Sequence, residues 1–204
     1  MRSRSDSALT GRCVRCYLTF EHCLCASLPV VSTRVRILVV RHALEALKST
    51  NSARIAALVL PRLRIVSYGA KDEPFDAALL EGNPVLVYPP APSVDARLVT
   101  PADLLPFLDD LLLVFPDGTW NQTRRMVKRL LALRPMRRLL LPDGVESRVK
   151  TRLRQPAVAG RVSTLEAITA ALASLEGPEM AETMEEVQTR YVTHALRVKG
   201  RQRV

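Results

Sequence analysis

The four cysteines of this 204-residue chain fall at Cys13, Cys16, Cys23 and Cys25, in the pattern Cys-x2-Cys-x6-Cys-x-Cys. Four thiolates are the donor set of a tetrahedral structural zinc site, and the first pair has ordinary zinc-knuckle spacing. The Cys-x-Cys pair is tighter, which leaves His22 as a reserve ligand. Four protein ligands leave no position open for water, so the site reads as structural rather than catalytic. An iron–sulfur cluster takes the same donors, but none of its usual spacings match. In a reducing compartment, thiols clustered this tightly point to metal rather than to disulfides.

A second chemical feature is Phe115-Pro116-Asp117-Gly118-Thr119-Trp120, which contains the chain's single tryptophan. An apolar run precedes it and a helical pattern follows, so Asp117 falls at the carboxyl end of a strand, where open α/β sheets bind ligands. A carboxylate beside an aromatic wall has its pKa raised by desolvation and can serve as a general base. The same residues also read as a helix cap and a core-filling ring. After the first strand comes a polar set, His42, Glu45, Lys48, Thr50 and Asn51. Of these, His42, Lys48, Thr50 and Asn51 are candidate substrate contacts. Glu45 and Lys48 are three apart, so a helical ion pair is the alternative for them.

The elements that must position these groups are read from periodicity. Short runs rich in Val, Leu and Ile at 35–40, 63–67, 84–88, 111–115 and 138–141 have the character of strands buried on both faces. Helical patterns lie between and after them, at 49–60, 76–80, 121–133, 163–175 and 179–198. Ser163-Thr164-Leu165-Glu166 is a capping-box signature, and Gly177-Pro178 separates the last two helices. The alternation implies an α/β fold with a mainly parallel sheet flanked by helices. Residues 1–28 form a leader and cysteine module, and residues 29–204 an α/β domain.

Hydrophobic residues make up 48% of the chain, which excludes wholesale disorder, and four cysteines are too few for a disulfide scaffold. Arg outnumbers Lys 25 to 5, and the net charge of +10 is unevenly spread. Residues 1–66 carry 11 basic and 3 acidic residues, 67–120 carry 2 and 9, 121–162 carry 12 and 2, and 163–204 carry 5 and 6. Two basic blocks around an acidic one point to a polyanionic partner, and Arg suits phosphate contacts because its fork is bidentate. Arg124, Arg125, Lys128, Arg129, Arg152 and Arg154 are the candidates. The N-terminus is polar with no apolar core of a signal peptide, and no run reaches membrane-spanning length, so a cytoplasmic protein with no membrane contact is expected.

Four stretches together resemble the DTW-domain family: the cysteine pattern; His42 to Arg54; Phe115 to Trp120 followed by Arg124 and Arg125; and Arg152-Leu153-Arg154-Gln155-Pro156 followed by Ser163 to Ala167. They come in the family's order over about residues 12–170. Ala43 stands where the family usually has proline. The resemblance implies a tRNA-uridine aminocarboxypropyltransferase, which moves the 3-amino-3-carboxypropyl group of S-adenosylmethionine to N3 of a uridine. It also implies a SPOUT-like fold with a C-terminal trefoil knot over about 139–171. Asp117 would be the catalytic base. Tyr88, Pro89, Phe115, Pro116, Gly118, Thr119, Trp120, Leu140, Leu141, Ser163, Thr164 and Glu166 would cradle the donor together with it. The N-terminus of the helix begun by Ser163 would receive the methionine carboxylate. His42, Lys48, Thr50, Asn51 and the arginines would hold tRNA, and both basic blocks would surround the pocket, with the acidic block as an outer wall. Monomer and homodimer are both compatible. The rivals are a SPOUT-like RNA methyltransferase and a non-catalytic zinc-containing RNA-binding protein. Neither Gly-x-Ser-x-Gly nor His-Glu-x-x-His occurs, which speaks against a hydrolase.

Overall fold

A computed structural model describes residues 11–70, 74–89, 97–142, 153 and 161–198. Six strands, β1 (Arg36–His42), β2 (Leu63–Tyr68), β3 (Asn83–Val87), β4 (Leu98–Val99), β5 (Leu111–Asp117) and β6 (Arg137–Leu139), form one sheet in the order β2-β1-β5-β3-β6-β4. Every pairing between neighbours is parallel. All carboxyl ends therefore share one edge.

The strands are apolar on both faces because both are covered. Ile37, Val39, Val85, Val87, Leu111, Leu113 and Phe115 belong to one buried cluster, and Leu38, Val40, Leu86, Leu112 and Val114 to another. The alternation is the two-residue period of the pleat. Against the first face pack α1 (Ala53–Val59), α2 (Pro101–Leu104), α4 (Thr164–Glu176) and α5 (Pro178–Val198). Against the second lies α3 (Trp120–Arg129), through Met126 and Val127. Leu18 and Leu24 of the cysteine module are buried in the first cluster, so the module joins the same core as the sheet.

Each of the five expected strands is present, with ends shifted by one or two residues. β5 runs on through Pro116 to Asp117 although Pro-Asp-Gly is a turn signal, because these two residues are buried and stay in register with Val40 and Arg41 of β1. α1 starts at Ala53 rather than residue 49: the Asn51 side-chain carbonyl accepts from the Arg54 amide, and Asn51 and Ser52 spend their side chains elsewhere. The turn expected at 76–80 is a 3-10 helix, Ala77–Leu80. β4 is two residues long and too short to carry a periodic signal. α2 was also not expected, yet Thr100-Pro101-Ala102-Asp103 closes a capping box that the sequence displays. The knotted path over 139–171 falls largely outside the described residues, as do Arg152 and Arg154.

The turn between α4 and α5 rests on Gly177, whose φ of 109° and ψ of 164° lie in a region almost closed to other residues. No side chain crowds its Cβ position, so the cost of a substitution is backbone strain alone. Gly177→Ala is expected to lower unfolding free energy in urea by about 1–3 kcal/mol with an unchanged far-UV spectrum. A smaller loss would mean the turn relaxes.

Candidate active site and metal centre

Asp117 ends the central strand and is only 5% exposed. Its two oxygens have separate partners: Asn51 Nδ2 donates to Oδ2 at 2.6 Å, and Thr164 Oγ1 donates to Oδ1 at 2.5 Å. Asn51 comes from the turn between β1 and α1, and Thr164 is the first residue of α4. Burial pushes the Asp117 carboxyl above its usual range; the bonds from Thr164 and Asn51 pull it back, Glu45 adds repulsion, and Arg41, its register partner on β1, attracts it. Burial prevails, and the group is poised to take a proton.

Around this carboxylate the chain is close-packed. Gly118 follows it, and a Cβ there would lie 3.0 Å from Gln122 Oε1 and 3.4 Å from His42 Cβ. Gln122 is held there because it closes a capping box with Thr119 at the start of α3. His42 Nδ1 accepts from the Leu44 amide at 3.3 Å. Lys48 donates to the buried Glu45 at 2.5 Å, the ion pair that the spacing offered as an alternative to a substrate contact. Thr50 is half-buried beside Asn51.

On the α3 face of the same edge, Tyr88 and Trp120 have ring centroids 6.1 Å apart, and Tyr88 Oη lies 3.5 Å from Thr123 Oγ1. The Arg161 guanidinium sits over the Trp120 ring, 4.7 Å from its centroid. Trp120 is half-buried, so it is a wall of the edge rather than core filling. Phe115 is core, Pro116 a buried strand residue, and Pro89 lies two positions past the end of β3. Leu140 and Leu141 follow β6, Leu140 being exposed. At α4, Ser163 accepts from the Glu166 amide while the Glu166 side chain accepts from the Ser163 amide.

Sequence reasoning missed five supporting residues, four arginines and one tyrosine. Arg54 donates to the carbonyls of Lys48 and Ala46, and its guanidinium lies 3.9 Å from the Tyr17 ring centroid. Arg41, Arg138 and Arg161 also border the edge. The available signal was a cation inside an apolar strand run, which Arg41 shows. Exposed Arg124, Arg125, Lys128 and Arg129 lie on α3. Not all of the first basic block is at this edge. Arg34 and Arg36 stand at the opposite, amino-terminal end of β1, paired with Asp109 and Asp110.

The four cysteine sulfurs all lie within 4.8 Å of one another, with Cys13–Cys25 at 3.7 Å and Cys16–Cys23 at 3.8 Å. Four sulfurs about 2.3 Å from a zinc ion form a tetrahedron with edges of about 3.8 Å, so the donor set fits zinc. His22 is not needed: its Nδ1 is 3.0 Å from Thr19 Oγ1. Burial raises the Cys13 thiol, but the amides of Cys16 and Arg15 and the neighbouring thiols outweigh it and hold it at about 7. Burial and the neighbouring charges push Cys16 and Cys25 up. A bound cation is what would keep all four ionised. Tyr17, at φ 62° just after the Cys13-x2-Cys16 pair, completes the tight turn and carries the ring under Arg54.

The sequence matches the DTW domain over residues 10–196. The chain belongs to the DTW-domain family. The match covers the cysteine cluster, the Asp117 site and the last two helices together. No solved structure matches the chain. Within this DTW domain, the motif that names the family supplies the strand end, the carboxylate and the aromatic wall of one pocket edge. Among the described residues no helix is long and apolar enough to cross a membrane.

Purified protein is expected to carry one zinc per chain by elemental analysis. Cys13→Ser should abolish that metal content and lower the thermal midpoint of unfolding. An unchanged midpoint in a metal-free variant would overturn the structural role of the cluster.

Proposed function

We propose that this protein is a tRNA-uridine aminocarboxypropyltransferase using S-adenosylmethionine, with Asp117 as its base and zinc as a structural ion. The family is associated with tRNA modification. The observation that carries the finer reading is the Asp117 carboxylate: buried at the end of the central strand, raised in pKa, and gripped at each oxygen by a neutral donor. Uridine N3 bears a weakly acidic imide proton. Asp117 takes that proton as N3 becomes nucleophilic. The donor supplies an electrophilic Cγ on sulfonium: the N3–Cγ bond forms, the Cγ–S bond breaks, and its electron pair stays on sulfur in methylthioadenosine. Asn51 and Thr164 fix the carboxylate so that orientation, rather than a strong base, lowers the barrier. Thr119, Trp120, Tyr88 and Pro89 wall the donor, and His42 lies beside Asp117 on the substrate side. Arg124, Arg125, Lys128 and Arg129, exposed beyond Trp120, supply phosphate contacts.

Nucleoside mass spectrometry of tRNA incubated with the protein and adenosylmethionine tests this directly. Expected is a uridine heavier by one aminocarboxypropyl group. A methyl increment would make the enzyme a methyltransferase, and no increment would leave an RNA-binding protein. tRNA affinity should fall steeply with added salt while adenosylmethionine affinity barely moves.

Asp117→Asn should cut transfer by about 10²–10⁴-fold. Because the folded carboxyl has a raised pKa, the native state holds its proton more tightly than the unfolded chain. Stability from this group is therefore full below the unfolded value and is lost as pH rises through the folded one. The variant should melt higher than the parent at neutral pH and show a flatter fall in stability from acid to neutral. Equal melting at neutral pH would mean the carboxylate is not strained.

A further inference from the structure

Arg138, the middle residue of β6, is completely buried, yet its Nε and Nη2 have no hydrogen-bond partner among the described residues. Its Nη1 donates to the Pro89 carbonyl at 3.0 Å, which fixes the plane of the guanidinium. A buried cation with an open donor edge costs free energy unless an anion meets it. The open pair is the side-on fork of arginine. Arg34 shows in this same molecule what that fork takes: its Nε and Nη2 hold the two oxygens of Asp109 at 3.0 and 2.8 Å.

The fork lies at the functional edge. Pro89 follows β3 at the carboxyl ends, and Tyr88 is close enough to act electrostatically on the guanidinium, which burial otherwise pushes below its usual pKa. β6 is two strands from β5, roughly 10 Å at usual strand spacing. An anion there is kept away from Asp117. The other seat for a donor carboxylate, the start of α4, is already filled: the Ser163 amide goes to Glu166, the Glu166 amide to Ser163 and the Leu165 amide to Ser52. A polymer phosphate stays at the solvent surface, whereas a fully buried fork suits a small planar carboxylate carried in by a ligand.

We infer that Arg138 is the specificity residue of the donor site, its Nε and Nη2 receiving the two oxygens of the α-carboxylate of adenosylmethionine. This rests on the donor proposed above. The pocket then holds the transferred group by its far end, and methylthioadenosine, which lacks that carboxylate, makes no use of Arg138.

Calorimetry with adenosylmethionine, decarboxylated adenosylmethionine and methylthioadenosine separates the possibilities. The parent protein should bind adenosylmethionine about 10- to 100-fold more tightly than the decarboxylated donor, the margin of a charge-assisted pair. Arg138→Met should erase the margin and leave methylthioadenosine affinity unchanged. Arg138→Lys, which keeps the charge and loses the fork, should fall between and serves where the Met variant does not fold. Absence of a margin in the parent, or its survival in a folded variant, overturns the assignment and leaves the transferase reading standing. Weakened tRNA binding with an intact margin would make Arg138 a phosphate contact and also overturns it. If the parent bound none of the three compounds, the donor reading would fall first and Arg138 with it.

Discussion

The structure turns on one buried carboxylate. Asp117 stands at the end of β5, the strand with β1 on one side and β3 on the other. Ionised carboxylates rarely sit this deep without a cation in contact. Here the immediate partners are neutral, an amide and a hydroxyl from two different segments. The interaction therefore fixes three things together: where β5 ends, how the β1–α1 turn folds back over the sheet, and where α4 begins. Loss of solvation is only partly offset by two hydrogen bonds, and the remainder appears as the raised proton affinity of the group. A folding cost and a chemical capability are the same quantity at this position.

The turn that delivers Asn51 holds only one short 3-10 helix, Ala43–Glu45, and is pinned by arginine. Arg54 reaches back from α1 to the carbonyls of Ala46 and Lys48, and the Tyr17 ring closes over its guanidinium. Tyr17 is positioned by the left-handed turn at the first cysteine pair. A path of direct contacts thus runs from the cysteine cluster through Tyr17, Arg54 and the turn to the carboxylate. The cysteine module is small, but its Tyr17 ring helps set the loop that holds the carboxylate. Leu18 and Leu24, buried in the main core, bind the two parts further.

Much of this was legible in the sequence, and the reasons differ by feature. Doubly buried strands write continuous apolar runs, so five of the six strands could be read. The capping box at Ser163 is local chemistry and announces its helix. The four cysteines need only proximity in the chain. Asp117 could be placed at a strand end by the run before it, but its choice between cap and base could not. The Thr119 hydroxyl, not Asp117, accepts at the start of α3, and Asp117 instead binds residues 66 positions before and 47 after it. Such partners leave no mark in local pattern. Arg138 was hidden for the same reason, its partner Pro89 lying 49 positions away, whereas Arg41 was visible as a cation in the apolar run of β1.

The charge blocks show how a linear pattern becomes a surface. In a parallel sheet, residues before a strand and residues after it lie on opposite edges. Asp109 and Asp110 precede β5 and meet Arg34 and Arg36 at the start of β1. Acidic residues and part of the first basic block therefore neutralise one another at the amino-terminal edge. α3 begins at the other edge; its cations have no ion pair among the described residues, and Arg124 and Arg125 remain exposed about one turn beyond Trp120. The net charge of the chain is modest in its consequences; its division between the two edges is not. One edge is nearly self-neutral, and the edge that carries the buried carboxylate is left with a basic rim. That division tilts the positive field of the molecule toward the end of the sheet where α3 begins.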